Sequence, residues 1–399
     1  MGQFRFLTAG ESHGKGLIAI VEGIVADLPM EEAFINRELK RRQLGYGRGS
    51  RMKIEEDKAE IISGVRYGLT IGSPIGLFIP NRDWQNWQEV MAIAPSERES
   101  EPVTCPRPGH ADLAGVTKYS FKDIRPILER ASARETAARV AVGAIAKRFL
   151  EEFGIAIHSH TIAIGMCHSE QGKAISIDWE QVESSPVRCA DEKVERSMIV
   201  AIDEAKAEGD TLGGISEIIA TGVPIGLGSH VHWDRRLDGR IAQAIMSINA
   251  VKGVEIGFGF TLAEIKGSQA HDVIELESPS VIAGNKATMQ SPFWRHVTNR
   301  AGGTEGGISN GEDIIVRATV KPIATLAKPL SSIDLRTGKT AHAHYERSDV
   351  CVVPAVGVIG EAMLAIILAD TCLEKFGGDN LKETLANYHN YLSSISLKG

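Results

Sequence analysis

Apolar positions along the chain follow two rhythms. Runs that alternate, or stay apolar between Gly and Pro, occur at QFRFLTA (3–9), GLIAIVEGIVADL (16–28), GLFIP (76–80), GIAIHSHTIAI (154–164), SEIIATGVPIG (216–226) and EDIIVRATVKPI (312–323). These predict strands. Helical spacing takes over at EEAFINRELKRRQ (31–43), which follows Pro29, opens with acids and closes on bases, as the helix dipole favours. It returns at SARETAARVAVGAIAKRFLEEFG (132–154), where Ser132 and Glu135 read as a capping box and Gly154 as the C-terminal stop. Further helices are predicted at 236–248, 361–377 and 379–395. No low-complexity or Pro/Ser-rich linker separates these segments. The pattern predicts one α+β domain over residues 1–399.

The most apolar stretch, VCVVPAVGVIGEAMLAIILAD (350–370), has nearly the length of a membrane span. Pro354, Gly357, Gly360 and Glu361 interrupt it, and β-branched residues crowd its first half, so a buried strand turning into a buried helix is expected. A faint echo between VEGIVADLP (21–29) and IATGVPIGLG (219–228), each before a helix, hints at duplicated halves.

Charge narrows the partners. Lys+Arg number 44 and Asp+Glu 51, a net −7, so no global basic field draws nucleic acid or anionic membrane. Any anion site must be a local cluster. Five cysteines without a CxxC pair fit a reducing compartment, and the opening MGQFRFLTAG carries neither a signal-peptide nor a myristoylation pattern. Cytoplasmic residence is expected.

Four chemistries compete. GESHG (10–14) satisfies G-x-S-x-G, but a nucleophile elbow needs a helix after Ser12, and β-type residues follow instead. GESHGKG is one residue short of a Walker loop, and GYGRGS (45–50) lacks the third glycine of a dinucleotide fingerprint. Three His-x-His pairs (158/160, 230/232, 342/344) could offer paired imidazoles on strands, yet no Asp, Glu or Cys completes a ligand set, so no metal is expected. The fourth is a polyanion site. Arg42 and Arg48 flank the turn QLGYG, Arg107 and His110 lie in RPGHAD, Arg130 and Arg134 in ERASAR, Lys321 in KPIAT, and Arg347 with Asp349 in ERSDVC. Each sits beside Gly, Pro or a helix start, where guanidinium forks and backbone N–H groups can grip carboxylate or phosphate. A protein that only binds such an anion is the rival to an enzyme.

Together GESHGKG, RRQLGYGRGSRM, RPGHADLAGVTKY, RASARETAARVAVGAIA, EGDTLGG, SINAVKGVEIGFGF, AGGTEGGISNGEDIIVRATVKPIATL and ERSDVCVVPAVGVIGEAM resemble chorismate synthases over nearly the whole chain. The resemblance implies a homotetramer whose protomer is a β-α-β sandwich, with helices packed between antiparallel sheets. It implies loss of phosphate from 5-enolpyruvylshikimate 3-phosphate by 1,4-elimination, giving chorismate, the last step of the shikimate pathway. It further implies a requirement for reduced FMN without net redox change. By the same resemblance His110 is the acid toward phosphate, His13 protonates or orients the reduced flavin, and Asp349 assists proton removal; an unperturbed imidazole, near pKa about 6.5, suits such work. Substrate contacts are implied at Ser12, Arg42, Arg48, Arg107, Arg134 and Arg347, with Arg42 and Arg48 also matching positions described as NADP-binding. FMN contacts are implied at Arg130, Ala131, Ser132, Asn249, Ala250, Gly306, Lys321, Pro322, Ile323, Ala324, Thr325 and Arg347. The chain departs from many relatives at Ser50 and at Ala131, the latter removing one hydroxyl beside the flavin. Without a dinucleotide fingerprint, NADPH is expected at most as an indirect reductant, with a separate flavin reductase as the partner; the source of reducing equivalents stays open.

Overall fold

A computed structural model describes residues 4–49, 56–95, 100–169, 177–276, 294–346 and 348–395. Four strands, β1 Arg5–Ala9, β2 Gly16–Glu22, β3 Glu60–Ser63 and β4 Ile75–Pro80, form an antiparallel sheet in the order β1-β2-β4-β3. Five more, β5 Ala156–Ile164, β6 Cys167–His168, β7 Gly214–Thr221, β8 Val251–Ile256 and β9 Ile314–Val320, form a second, ordered β8-β9-β7-β5-β6. The principal helices are α1 Glu32–Gln43, α2 Asp112–Tyr119, α3 Arg125–Arg130, α4 Thr136–Glu151, α5 Trp179–Ser184, α6 Glu192–Glu208, α7 Leu237–Met246, α8 Val353–Phe376 and α9 Leu381–Ile395. α4 packs against β2 with most of its residues buried, Val140 and Ala144 among them, and α8 lies against β5 and β7 while packing on α4. The order of layers is therefore sheet, α4, α8, sheet, the sandwich the resemblance implied.

Each strand expected from the apolar runs is present, and each stops where its backbone stops it. The run from Gly16 ends at Glu22 because Gly23 turns at φ 93°, and that from Ser216 ends at Thr221 before Gly222 at φ 72°. Both segments of the faint echo thus leave a strand through a positive-φ glycine and lead toward a helix, α1 or α7. The capping box is half realised: Ser132 accepts from Arg134 N–H, whereas Glu135 pairs with Arg139 at 2.6 Å.

The strand expected at the start of 350–370 is a correction. Only Cys351 bridges to a neighbour, Leu212, and the helix begins at Val353 with Pro354 in its first turn, where a missing N–H costs nothing. The glycines that looked like breakers let α8 lie close to the second sheet: a methyl group on Gly360 would sit 2.9 Å from Ile218, and one on Gly357 2.8 Å from Ser159 Oγ. A methyl on Gly143 of α4 would overlap Ala362 of α8. The helix is long and apolar enough to cross a bilayer, but nearly all of its apolar stretch is buried within the protein. Its last turns also hold the N-terminus, since Phe4 N–H donates to Asp370 Oδ1 at 2.8 Å.

Glu361 is the charge this helix carries into the core, with a side chain of 0% exposure. Arg41 grips it with two bonds (2.7 and 3.0 Å), Ser159 Oγ donates at 2.6 Å, Arg188 Nη2 at 3.4 Å, and Lys147 completes the set. Burial opposes the ionised form, but Lys147, Arg41 and Arg188 outweigh it and hold the carboxyl well below the ordinary glutamate range. Four elements converge here: α1 through Arg41, α4 through Lys147, β5 through Ser159 and α8 itself.

Two stability tests follow. Glu361→Gln leaves buried cations short of a counter-charge and should cost about 3–5 kcal/mol. A depressed native pKa gives stability that is present above the unfolded value of about 4.3 and lost as pH falls through the native value; urea midpoints followed through acid should drop less steeply in the variant. Gly143→Ala separates propensity from packing: propensity alone would stabilise by about 1 kcal/mol, whereas overlap with Ala362 should destabilise by about 1–3 kcal/mol, read as the sign of the urea-midpoint shift.

Candidate active site

Seven chain segments meet over the first turns of α8 and enclose a cavity of about 490 Å³, within the range of small-molecule sites. Ala355, Val356 and Ile359 of α8, with Val352 just before it, form an apolar floor, joined by Leu128 and Val251. Among the described lining residues are six bases, Arg42, Arg48, Arg107, Arg134, Lys252 and Lys321, against two acids, Glu346 and Asp349. In a chain of net charge −7, this is the local cluster an anion would need.

The positions named from sequence divide clearly. Ser12, His13, Arg42, Arg48, Arg107, His110, Ala131, Ser132, Arg134, Asn249, Ala250, Asp349 and all of Lys321 to Thr325 line this one cavity. Arg130 does not: its guanidinium clasps the end of β1, donating to Gly10 O at 3.2 Å and to Thr8 O and Oγ1 at 3.3 and 3.2 Å. Gly306 is also absent from the lining and sits in a tight turn at φ 58° with open space around it. Arg347 and Ser50 fall outside the described residues.

Each histidine is oriented by a buried carboxylate. His110 Nδ1 lies 2.5 Å from Asp112 Oδ1, and Asp112, with no exposed side chain, accepts from Arg107 Nε at 2.8 Å, Nη2 at 3.1 Å and N–H at 3.0 Å. Burial works against the Asp112 carboxylate, but the hydrogen bonds from His110 and Arg107 prevail and hold it well below the usual range. Arg107 is thus spent largely on Asp112 and, through Nη1, on Thr325 Oγ1 at 3.0 Å. The guanidinium also comes within 3.0 Å of His110 Nδ1, so Arg107 helps to fix that ring while lining the cavity. His13 Nδ1 faces both oxygens of Glu129, at 3.0 and 2.9 Å, under the indole of Trp87.

The remaining arginines have acidic neighbours too. Arg42 and Arg134 share the buried Asp57, Arg42 Nη1 lying 3.2 Å from Oδ2 and Arg134 Nη1 bonded to Oδ1. Arg48 Nε is 3.3 Å from Asp349 Oδ2, and Gly49 N–H donates to Oδ1 at 2.6 Å. Glu346 is held down to about 2: burial would raise it, but bonds from His344 and Arg125 win. Lys321 Nζ bonds Gly109 O, tying the KPIAT segment to the RPGH turn.

Ser12 does not stand on a strand-to-helix elbow. It occupies a turn between two antiparallel strands, Ser132 Oγ donates to its Oγ at 3.1 Å, and the adjacent imidazole turns Nδ1 to Glu129. The paired-histidine metal idea finds no cluster of three or more His, Cys, Asp or Glu among the described residues. Sequence reasoning missed Asp57, Trp87, Asp112, Glu129, Lys252 and Glu346. Asp112 was within reach, two places after His110 in a motif already singled out; nothing local marks Asp57.

Asn249 and Ala250 bear on a cofactor. Asn249 lines the cavity and its Nδ2 donates to Ala131 O at 3.0 Å, while its buried Oδ1 has no hydrogen-bond partner. Ala250 holds φ 69°, a strained conformation for a residue with a side chain, and its carbonyl accepts from Lys321 N–H at 2.9 Å. An unmet acceptor over an apolar floor, with basic groups at the rim, fits a flat heterocycle carrying a phosphate.

Comparison with known proteins supplies the family. A sequence model described as chorismate synthase matches residues 4–373. The chain is 56% identical to the chorismate synthase of Moorella thermoacetica, covering 98% of this chain and all of that one, and 49% identical to that of Streptomyces coelicolor over the full length of both. A solved structure described as a crystal structure of chorismate synthase superposes with a TM-score of 0.78 at 45% identity, covering 98% of each chain. With fold, cavity and sequence in agreement over nearly its whole length, the chain belongs to the chorismate synthase family.

Proposed function

We propose that the chain converts 5-enolpyruvylshikimate 3-phosphate to chorismate and phosphate by 1,4-elimination, with reduced FMN bound in the cavity. Membership of the family makes it an enzyme, a lyase of aromatic biosynthesis. The observation that carries the finer reading is the pairing of His13 with Glu129 and of His110 with Asp112 on the walls of one basic cavity. A protein that only binds an anion has no use for two imidazoles each aimed by a buried acid.

The substrate's two carboxylates and one phosphate call for fixed positive charge, which Arg48, Arg42, Arg134, Lys252 and Lys321 provide around the cavity. Their acidic neighbours set where each guanidinium points before any ligand arrives. His110, with Nδ1 committed to Asp112, has Nε2 left to give a proton to the departing phosphate. The apolar floor from Leu128 to Ile359 keeps water from competing. Asn249, Ala250, Ala131, Ser132 and the Lys321–Thr325 segment would hold the flavin. When bound, reduced flavin supplies electron density to the substrate as phosphate leaves. Asp349, held by Arg48 and Gly49 N–H, is the carboxylate at hand to receive or relay the ring proton.

A homotetramer in the cytoplasm, reduced by a separate flavin reductase with NADPH as an indirect source, completes the reading. Exposed Leu7, Ile18, Ile20 and Ile62 on the first sheet support self-association.

Phosphate release should require both the enolpyruvyl substrate and reduced flavin; release with oxidised FMN, or a hydrolase activity abolished by Ser12→Ala, would overturn the elimination. His110→Ala should lower kcat about 10²- to 10⁴-fold with an unchanged thermal midpoint, the range for lost general acid help. Arg48→Lys keeps the charge and loses the fork, so titration calorimetry should show substrate binding about ten- to a hundredfold weaker and FMN binding nearly unchanged.

A further inference from the structure

Glu129 lies on α3 with a side chain of 0% exposure and serves three donors at once. Both of its oxygens meet His13 Nδ1, at 3.0 and 2.9 Å; Oε2 also accepts the His13 main-chain N–H at 2.8 Å; and Oε1 accepts from Arg125 Nη1 at 3.3 Å. Arg125 reaches on with the same nitrogen to Glu346 Oε1 at 2.8 Å, in the segment that brings Ser348 and Asp349 to the cavity. Trp87 stacks on the imidazole with ring centres 3.7 Å apart and planes inclined by 28°. Its own Nε1–H donates to Asp83 Oδ2 at 3.0 Å, and the Arg125 guanidinium lies 5.6 Å from its ring centre.

An imidazole whose main-chain N–H and Nδ1 answer to one carboxylate, under an indole that blocks rotation, has a single orientation. The nitrogen facing an acceptor carries the hydrogen, and the other is left for the ligand. We propose that Glu129 is the positioning residue for His13, keeping a hydrogen on Nδ1 and Nε2 toward the cavity, and that Arg125 ties this pair to the 346–349 segment. The inference rests on the elimination reading for its kinetic consequence but not for its structural one.

Nitrogen-15 NMR of histidine-labelled, full-length protein without flavin tests the structural part, with His13→Ala assigning the signals. At about pH 8.5, above the ordinary imidazole value of about 6.5, His13 should carry a hydrogen on Nδ1 in the wild type. In Glu129→Gln, whose amide can present either its oxygen or its nitrogen, the signals should move toward a mixture of tautomers. A bare Nδ1 in the wild type overturns the proposal with no variant needed. Kinetically, Glu129→Gln should lower kcat about 10²- to 10⁴-fold, as when the acid orienting a catalytic histidine is neutralised, with KM within about threefold. The double variant with His13→Ala should be no slower than His13→Ala alone, because residues acting as a unit are not additive. Additive losses, or a loss confined to KM, overturn it. If wild-type protein releases no phosphate with reduced flavin, the elimination reading falls while the NMR result stands on its own.

Discussion

The carboxylate of Glu361 has to be buried, ionised and shared, and the position of α8 follows from that. Arg41, Lys147, Arg188 and Ser159 reach it from four other parts of the chain, and they can do so only if α1, α4, β5 and the loop that carries Arg188 stand at fixed distances from the helix. The consequence for the site is direct. The residue after Arg41 is Arg42, a cavity base, and two turns before Glu361 the same helix supplies the floor at Ala355 and Val356. A multiply bonded buried ion pair adds directional bonds to close packing, so its partners tolerate little displacement. The core thus sets the register of the cavity wall.

A second constraint is electrostatic. Six bases around one cavity would repel one another and pull loops apart, and acids set against four of them offset this: buried Asp57 behind Arg42 and Arg134, buried Asp112 behind Arg107, and half-buried Asp349 beside Arg48. Such acids weaken the net field only modestly while fixing the direction of each donor, which is the condition for stabilising charge that develops during reaction. His13 and His110 share this design, each with one ring nitrogen turned away from the cavity toward an acid.

Much of the fold was legible because its elements carry strong period signals and clear stops. The 17-residue helix α6 was not read, although Asp191 caps it and Gly209 closes it: only Met198, Ile202 and Ala205 are buried, too sparse an apolar stripe to stand out. The first half of α8 misled in the other direction, because a helix buried on all sides has no polar face and its Val and Ile then read as strand. In the site, motif residues beside glycines were brought together, while Arg130 turned to the end of β1 and Arg107 to Asp112. Their partners were hard to foresee because a supporting acid such as Asp57 meets Arg134 across 77 residues, and no local pattern records that meeting.

Phe4 bonds to Asp370 across 366 residues, and Gly143 accommodates Ala362. Both contacts join the early chain to its last core helix. A polypeptide synthesised from its N-terminus can pair the first sheet early, but the interface between α4 and α8 must wait for residues 353–376. The apolar face that α4 turns to α8 is therefore uncovered until that helix has been made, a state prone to aggregation. Contacts of such separation also predict slow folding. The cavity takes its floor from the first turns of α8, so it can close only after those residues have been synthesised.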